Sequence, residues 1–272
     1  RFASAHELGL ALDAVLKAPP GAAWLTEVEE RNPYPGLQSF TEKDARAFFG
    51  REEEVKALWQ RIEHRGLLAV IGPSGAGKTS FVRAGVIASK PEGWAAIVCK
   101  PGAAPLRSLG QALAPELASD PEALRRLLSF DEPQTAFELI ARWRRAKGDA
   151  LLVVDQFEEL FTLNAKATQE SFSQLLGRLA TEAGVHVLLS LRDDFLIRCS
   201  EHEPLAPVFE SLTPLPALTT DGLRRALVEP AKTLGYDFED EALVTEMIDS
   251  VEGVRGALPL LAFAVSRLWE KR

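Results

Sequence analysis

The chain has 272 residues, 46% of them apolar and 26% charged, with a formal net charge of -8 and a pI of ≈ 5.2. These values exclude a disordered polymer and fit a folded, soluble chain long enough for one large domain and a smaller one. The acidic balance argues against a nucleic-acid partner, because neutralising phosphates takes clustered Lys and Arg.

In chain order, residues 1–17 begin with a capping box, Ser4 with Glu7, and set Leu8, Leu12, Val15 and Leu16 on one helical face. "APPGAAW" follows as a linker, and "NPYPGLQSF" at 32–40 is an extended segment stiffened by two prolines. The next helix carries Val55, Leu58, Trp59 and Ile62 at helical spacing, and Gly66 is expected to close it.

"LLAVI" at 67–71 is a short buried strand, and "KTSFVRAGVIA" after the intervening loop is a helix. That loop fits G-x-x-x-x-G-K-[ST], with Gly72, Gly77, Lys78 and Thr79 at the fixed places. Such a loop curls backbone N–H groups around an anionic phosphate, and its glycines allow dihedrals and close approach that a Cβ forbids. The candidate phosphate site is therefore Gly72, Pro73, Ser74, Gly75, Ala76, Gly77, Lys78, Thr79 and Ser80. Lys78 would reach the β- and γ-phosphates, and the Thr79 hydroxyl would ligate Mg²⁺. Chance supplies the pattern in a chain this long on the order of once in a hundred, and the strand-loop-helix context makes it rarer.

Further strands are expected at 95–99, 151–155, 185–191 and 212–216, with a helical region from about Leu106 to Lys147 and a helix carrying Phe172, Leu175, Leu176 and Leu179. Strands alternating with helices predict a three-layer α/β domain on a parallel sheet. Helices alone are predicted beyond Thr219, which places a small all-α lid after the sheet domain. The domains read as 1–18, a helix; 19–31, a linker; 32–216, the nucleotide-binding domain; and 217–272, the helical lid.

The strand "LLVVD" ends in Asp155, an arrangement by which a carboxylate meets Mg²⁺ beside the first strand. Glu158 and Glu159 follow, either of which can position or deprotonate an attacking water. Asp131 and Glu132 in "SFDEP" imitate a magnesium strand, but Arg125, Arg126 and the leucines around them fit an amphipathic helix, so both are expected at the surface. Arg192 ends the fourth strand at the carboxyl edge of the sheet, where it can sense γ-phosphate charge or pair with Asp193, Asp194 or Asp155. The basic run 141–147 reads as a solvated helix end. Cys99 and Cys199 show no metal-ligand spacing, which fits a reducing cytoplasm. The apolar stretch 257–265 is too short for a bilayer, and no signal peptide is visible, so no membrane partner is expected.

"NPYPGLQSF…DARAFFGREEEV", "GPSGAGKTSFVRAG", "VVDQFEELFT", "LRDDF" and "GALPLL" occur in this order. Together they closely resemble the bacterial novel STAND NTPases, relatives of the NACHT and NB-ARC signalling ATPases in the AAA+-like branch. The resemblance implies an ATP-driven switch, closed with ADP and self-associating with ATP. It puts Phe49, Gly50 and Arg51 near the adenine or ribose and makes Pro259 the lid proline that closes over the base. It also makes Glu158 the water-activating acid, with Glu159 in support. Gln156 stands where many AAA+ proteins keep a catalytic glutamate, which implies slow turnover, and no winged-helix domain is found in these residues.

Residues 1–17 resemble the last helix of bacterial Ser/Thr kinases. That suggests a piece of a longer polypeptide, with a kinase domain before it and, as often in such parents, a WD-repeat propeller after it. Two other readings stay open on sequence: a nucleotide-binding module without hydrolysis, and a phosphotransferase. GTP is disfavoured because N-K-x-D is missing.

Overall fold

The apolar runs form β1 (Leu67–Gly72), β2 (Ala95–Cys99), β3 (Ala150–Val154), β4 (His186–Arg192) and β5 (Leu212–Pro214). In the computed structural model, which describes residues 32–127, 132–251 and 256–271, they build one five-stranded sheet in the order β2-β3-β4-β1-β5. Every pairing is parallel, and β3 is buried along its whole length. The helix expected over residues 1–17, its linker and Asp131 lie outside the described residues.

One neighbour relation could not be read from the chain order. Asp155 follows β3, which does not lie beside β1, because β4 pairs with both of them. Apolar runs of similar length pair equally well with several partners, so the order of strands in the chain does not dictate their order in the sheet.

Alternation along the strands divides the core in two. Val187, Leu189 and Leu191 of β4 join Leu152 and Val154 of β3 on one face. There they meet the helices Pro105–Leu113, Pro133–Lys147 and Lys166–Thr181. Leu188 of β4, with Leu68, Val70, Leu151 and Val153, faces the other way, toward the helix Glu52–Ile62 and the helix that follows the phosphate loop. This is the three-layer arrangement, buried on both faces as a parallel sheet requires.

The helix Glu52–Ile62 buries the four predicted side chains, but Gly66 does not close it. Its C-cap is Glu63 in a right-handed conformation, while the Gly66 carbonyl accepts from Val187 N at 2.7 Å. A Cβ on Gly66 would come 3.1 Å from the Ala180 carbonyl oxygen. Glycine is needed there for close approach rather than for a turn. The helix after the phosphate loop is α-helical only over Lys78–Ser80 and runs on as a π-helix over Phe81–Ile87. Its Gly85 lies where a Cβ would come 2.7 Å from Val55. Side chains take up carbonyls of this stretch: Trp59 Nε1 donates to Val86 O at 3.0 Å, and Ser89 Oγ to Gly85 O at 2.7 Å.

The basic run ends its helix as expected. Trp143 is buried, while Arg142 pairs with Asp120 at 2.6 Å and Lys147 with Glu116 at 3.2 Å. Glu132 is exposed.

Beyond β5 come the helices Thr220–Lys232, Glu241–Asp249 and Ala257–Glu270, with a core of their own that includes Leu223, Leu227, Val244, Ile248, Leu261 and Val265. Tyr34, from the far end of the sequence, is buried in that same cluster. Its hydroxyl donates to Leu227 O at 2.6 Å, and its ring meets Trp269 edge-on at 6.0 Å. The leading segment thus packs with the helices, and Pro33–Arg272 holds together as one compact unit.

Candidate functional site

The phosphate loop is shaped by its glycines. Gly75 and Gly77 have φ of +79° and +84°, a left-handed region that costs an L side chain roughly 1–2 kcal/mol. A Cβ on Gly72 would come 3.0 Å from Leu215 O, so the loop leaves β1 tight against the strand beside it. Lys78 Nζ donates to the carbonyls of Gly72 at 2.7 Å and Pro73 at 2.9 Å. Burial pushes the Lys78 ammonium below its ordinary range; Glu158, Asp193 and Asp155 oppose that shift, and Arg192 adds to it. An anion within reach of Nζ would offset this desolvation.

Asp155 follows β3 and is fully buried. Its Oδ2 accepts from the Thr79 hydroxyl at 2.9 Å, while Oδ1 has no hydrogen-bond partner among the described residues. A buried carboxylate oxygen without a donor, beside a hydroxyl on a phosphate loop, fits a hard divalent cation such as Mg²⁺, which takes oxygen ligands. Asp155 and Thr79 are the residues that would hold it.

The chain then turns sharply. Gln156 has φ of +52°, held by Asp155 N donating to Cys99 O at 2.9 Å and Phe157 N donating to Ser190 O at 2.8 Å. The helix Glu158–Leu163 starts just after this turn, and its first two carboxylates, consecutive in a helix, point apart. Glu158 borders the cavity that contains Lys78, Thr79 and Asp155, and its Oε2 accepts from Arg192 N at 3.3 Å. Glu159 turns the other way, accepting from Gly102 N at 3.0 Å. Asn164 Nδ2 fixes the same glycine through its carbonyl at 2.8 Å.

The cavity measures about 330 Å³. It is lined by Ser74 to Ser80, by Asp155, Gln156, Glu158, Ser190 and Arg192, and by Phe49 and Arg51. Leu258, Pro259, Leu261 and Ala262 of the last helix border it as well. Pro259 reaches within 3.4 Å of where a Gly75 Cβ would stand, and Leu258 as near to that of Gly77.

Of the residues singled out from sequence, Lys78, Glu158, Arg192, Thr79, Asp155, Phe49, Arg51 and Pro259 meet in this one space. Gly50 stands beside it, and several of the lining residues make further contacts. Gly50, at φ +89°, lies where a Cβ would come 2.6 Å from Gly222 O, so its place is against the helix Thr220–Lys232. Arg51 is buried, donating to Pro216 O at 2.7 Å and Glu54 at 2.9 Å. Ser80 Oγ accepts from Phe40 N at 3.1 Å. The guanidinium of Arg192 makes a two-pronged pair with Asp194 at 3.0 and 2.7 Å and lies 5.5 Å from the Phe195 ring centre.

Sequence reasoning missed the leading segment. Residues 34–40 line the cavity, and Gly36, at φ +64°, passes close to Ser266 of the last helix. The aromatic residues Tyr34 and Phe40 in a proline-stiffened stretch were the available signal. Leu218, Ala226 and Leu227 were missed as well.

The family model "Novel STAND NTPase 1" matches residues 33–272, the span that contains the loop, Asp155, Glu158 and Pro259. The chain belongs to this family. As a novel STAND NTPase it has the P-loop fold of its relatives in the solved structures. It is 16% identical to the Walker-type ATPase PABY2304 of Pyrococcus abyssi, with a TM-score of 0.66 over 86% of this chain and 71% of that one. It is also 16% identical to domain III of the Thermotoga maritima replication initiation protein DnaA, with a TM-score of 0.52 over 87% of this chain and 89% of that one. These likenesses concern the fold. None of the curated proteins matches the sequence. No helix among the described residues is long and apolar enough to cross a membrane.

Proposed function

We propose that this NTPase binds Mg·ATP in the cavity between the phosphate loop and Pro259, and hydrolyses it slowly as a signalling switch. The observation that carries the reading is the meeting of Lys78, Thr79, Asp155 and Glu158 in one cavity bordered by the lid helix. In this reading residues 32–216 form the nucleotide-binding domain and 217–272 the lid. The loop amides from Gly72 to Thr79 cradle the phosphates, and Lys78 exchanges its bonds to the Gly72 and Pro73 carbonyls for the β- and γ-phosphates. A bound Mg²⁺ supplies charge neutralisation at the leaving phosphates, held through Thr79 and Asp155.

Glu158 accepts the proton of the attacking water as the new oxygen–phosphorus bond forms and the bond to ADP breaks. Its hydrogen bond from Arg192 N keeps the carboxylate facing the cavity. Glu159 supports the arrangement from outside by anchoring the turn to Gly102. Arg192 exchanges Asp194 for the γ-phosphate, so that ATP and ADP leave its side chain in different places.

Phe49, Arg51 and the segment 34–40 surround the base, with Pro259 over it. ATP and ADP then favour different placements of the lid, because only ATP makes the γ-phosphate contacts. Self-association in the ATP state, reported to attached domains such as a kinase or a WD-repeat propeller in the cytoplasm, completes the proposal.

The test is Glu158→Gln. Phosphate release from ATP should fall at least a hundredfold, in the range that general-base catalysis contributes, while ATP still binds. Unchanged release would mean a nucleotide-binding module, and transfer of the γ-phosphoryl group to an acceptor other than water would mean a phosphotransferase.

A further inference from the structure

Besides Asp155 Oδ1, a second buried polar atom of the cavity has no partner among the described residues: Ser190 Oγ. Ser190 is 1% exposed and borders the cavity together with Asp155 and Thr79. Ser173 Oγ is likewise unpartnered, but it belongs to the helix Lys166–Thr181 on the other face of the sheet.

The register explains why Ser190 and Asp155 converge. Val154 of β3 pairs with Leu189 of β4, and Val70 of β1 pairs with Ser190. Strand neighbours alternate faces, so Ser190 shares the face of Leu188 and Val70, and Asp155 that of Val153. That is the face on which the helix after the phosphate loop packs, and Thr79 is in its first turn.

A hydroxyl shut away from water without a hydrogen bond is unfavourable, and every other residue from Val187 to Leu191 is leucine or valine. An alanine would fill the position without that penalty. Serine here makes sense if the bound state supplies its partner.

We propose that Ser190 is a positioning residue for the divalent cation that accompanies the nucleotide, its hydroxyl and Asp155 Oδ1 together receiving the hydrogens of cation-bound water. Ser190 thus acts through the cation's hydration shell and not on the phosphates themselves. The inference rests on the nucleotide-binding reading above.

The experiment compares the full chain with Ser190→Ala by calorimetric titration of ADP, once in EDTA and once with Mg²⁺, and by thermal unfolding without ligand. The variant should bind ADP in EDTA as the parent does, while its Mg²⁺-dependent gain in affinity should shrink by about tenfold or more, as expected for losing a hydrogen bond to a charged group. Without ligand it should unfold at the parent's temperature or above it, because an unpartnered buried hydroxyl has been removed.

An undiminished Mg²⁺ gain in the variant overturns the proposal while leaving the nucleotide reading intact. So does a fall in both unfolding temperature and metal-free affinity, the pattern of a serine that only packs. If the parent itself binds no ADP under either condition, the nucleotide reading fails and the inference with it.

Discussion

Gln156 is the residue at which the chain turns from β3 toward the helix that carries Glu158 and Glu159. Its left-handed backbone (φ +52°) follows a strand whose bonding continues through Asp155 N. The chain must leave the sheet at that point for the helix Glu158–Leu163 to start. A non-glycine residue in this region gives up on the order of 1 kcal/mol. Replacing it by glycine removes that strain but adds backbone freedom to the unfolded chain, so Gln156→Gly should stay within about 0.5 kcal/mol of the parent in urea unfolding. Gln156→Val, β-branched where φ is positive, should lose about 1–3 kcal/mol. Equal midpoints for the two variants would show that the turn is not held as described. At this scale the motif residues were legible, since Lys78, Thr79 and Asp155 are marked by spacing and by the apolar run before the aspartate. The direction of each glutamate was not, because adjacent carboxylates differ only in which amide, Arg192 N or Gly102 N, comes within reach.

Among the elements, the contact between the Phe49–Arg51 turn and the helix Thr220–Lys232 joins the segment before the sheet to the helices beyond β5. Gly50 lies with its α-carbon against Gly222, where a Cβ would come 2.6 Å from the Gly222 carbonyl oxygen. Nearby, Glu52 pairs with Arg225 at 2.8 Å. Both are half-exposed, so that ion pair adds little stability, and the backbone approach is the stronger constraint. Gly50→Ala meets an immovable carbonyl and an unfavourable φ together. It should cost about 2 kcal/mol or more in denaturant unfolding, and stabilisation by added ADP should shrink because Phe49 and Arg51 are displaced from the cavity. If the midpoint holds and ADP stabilises the variant as it does the parent, the turn and the helix are not coupled. Strand positions were readable to within a residue or two, since β3 and β4 are nearly unbroken apolar runs between turn residues. The π-helix after Ser80 was not, because periodicity does not reveal that Trp59 and Ser89 take up its carbonyls. Gly66 misled for a related reason: a glycine after an amphipathic run serves equally as a cap or as room for a neighbouring strand and helix.

For the whole molecule, the last helix borders the same cavity as the phosphate loop, so a bound nucleotide would touch both parts of the Pro33–Arg272 unit. A ligand present at a hundred times its dissociation constant stabilises the state it binds by about 2.7 kcal/mol. ADP and a non-hydrolysable ATP analogue should therefore both raise the unfolding temperature in the presence of Mg²⁺. The proposed switch requires a further difference, a larger mass in solution with the ATP analogue than with ADP, measured by light scattering. Equal masses would remove self-association from the proposal for this chain. By itself the sequence determined the phosphate loop, the strand that ends at Asp155, the alternation of strands and helices, and the family, because each is written in local spacing and in apolar runs. Only the tertiary structure decided that β4 lies between β1 and β3, that Tyr34 packs among the helices beyond β5, that Glu158 and not Glu159 borders the cavity that contains Lys78, and that the buried Ser190 borders it with Asp155. Those facts depend on which distant segments come into contact, and contacts between distant segments leave no periodic trace in the chain.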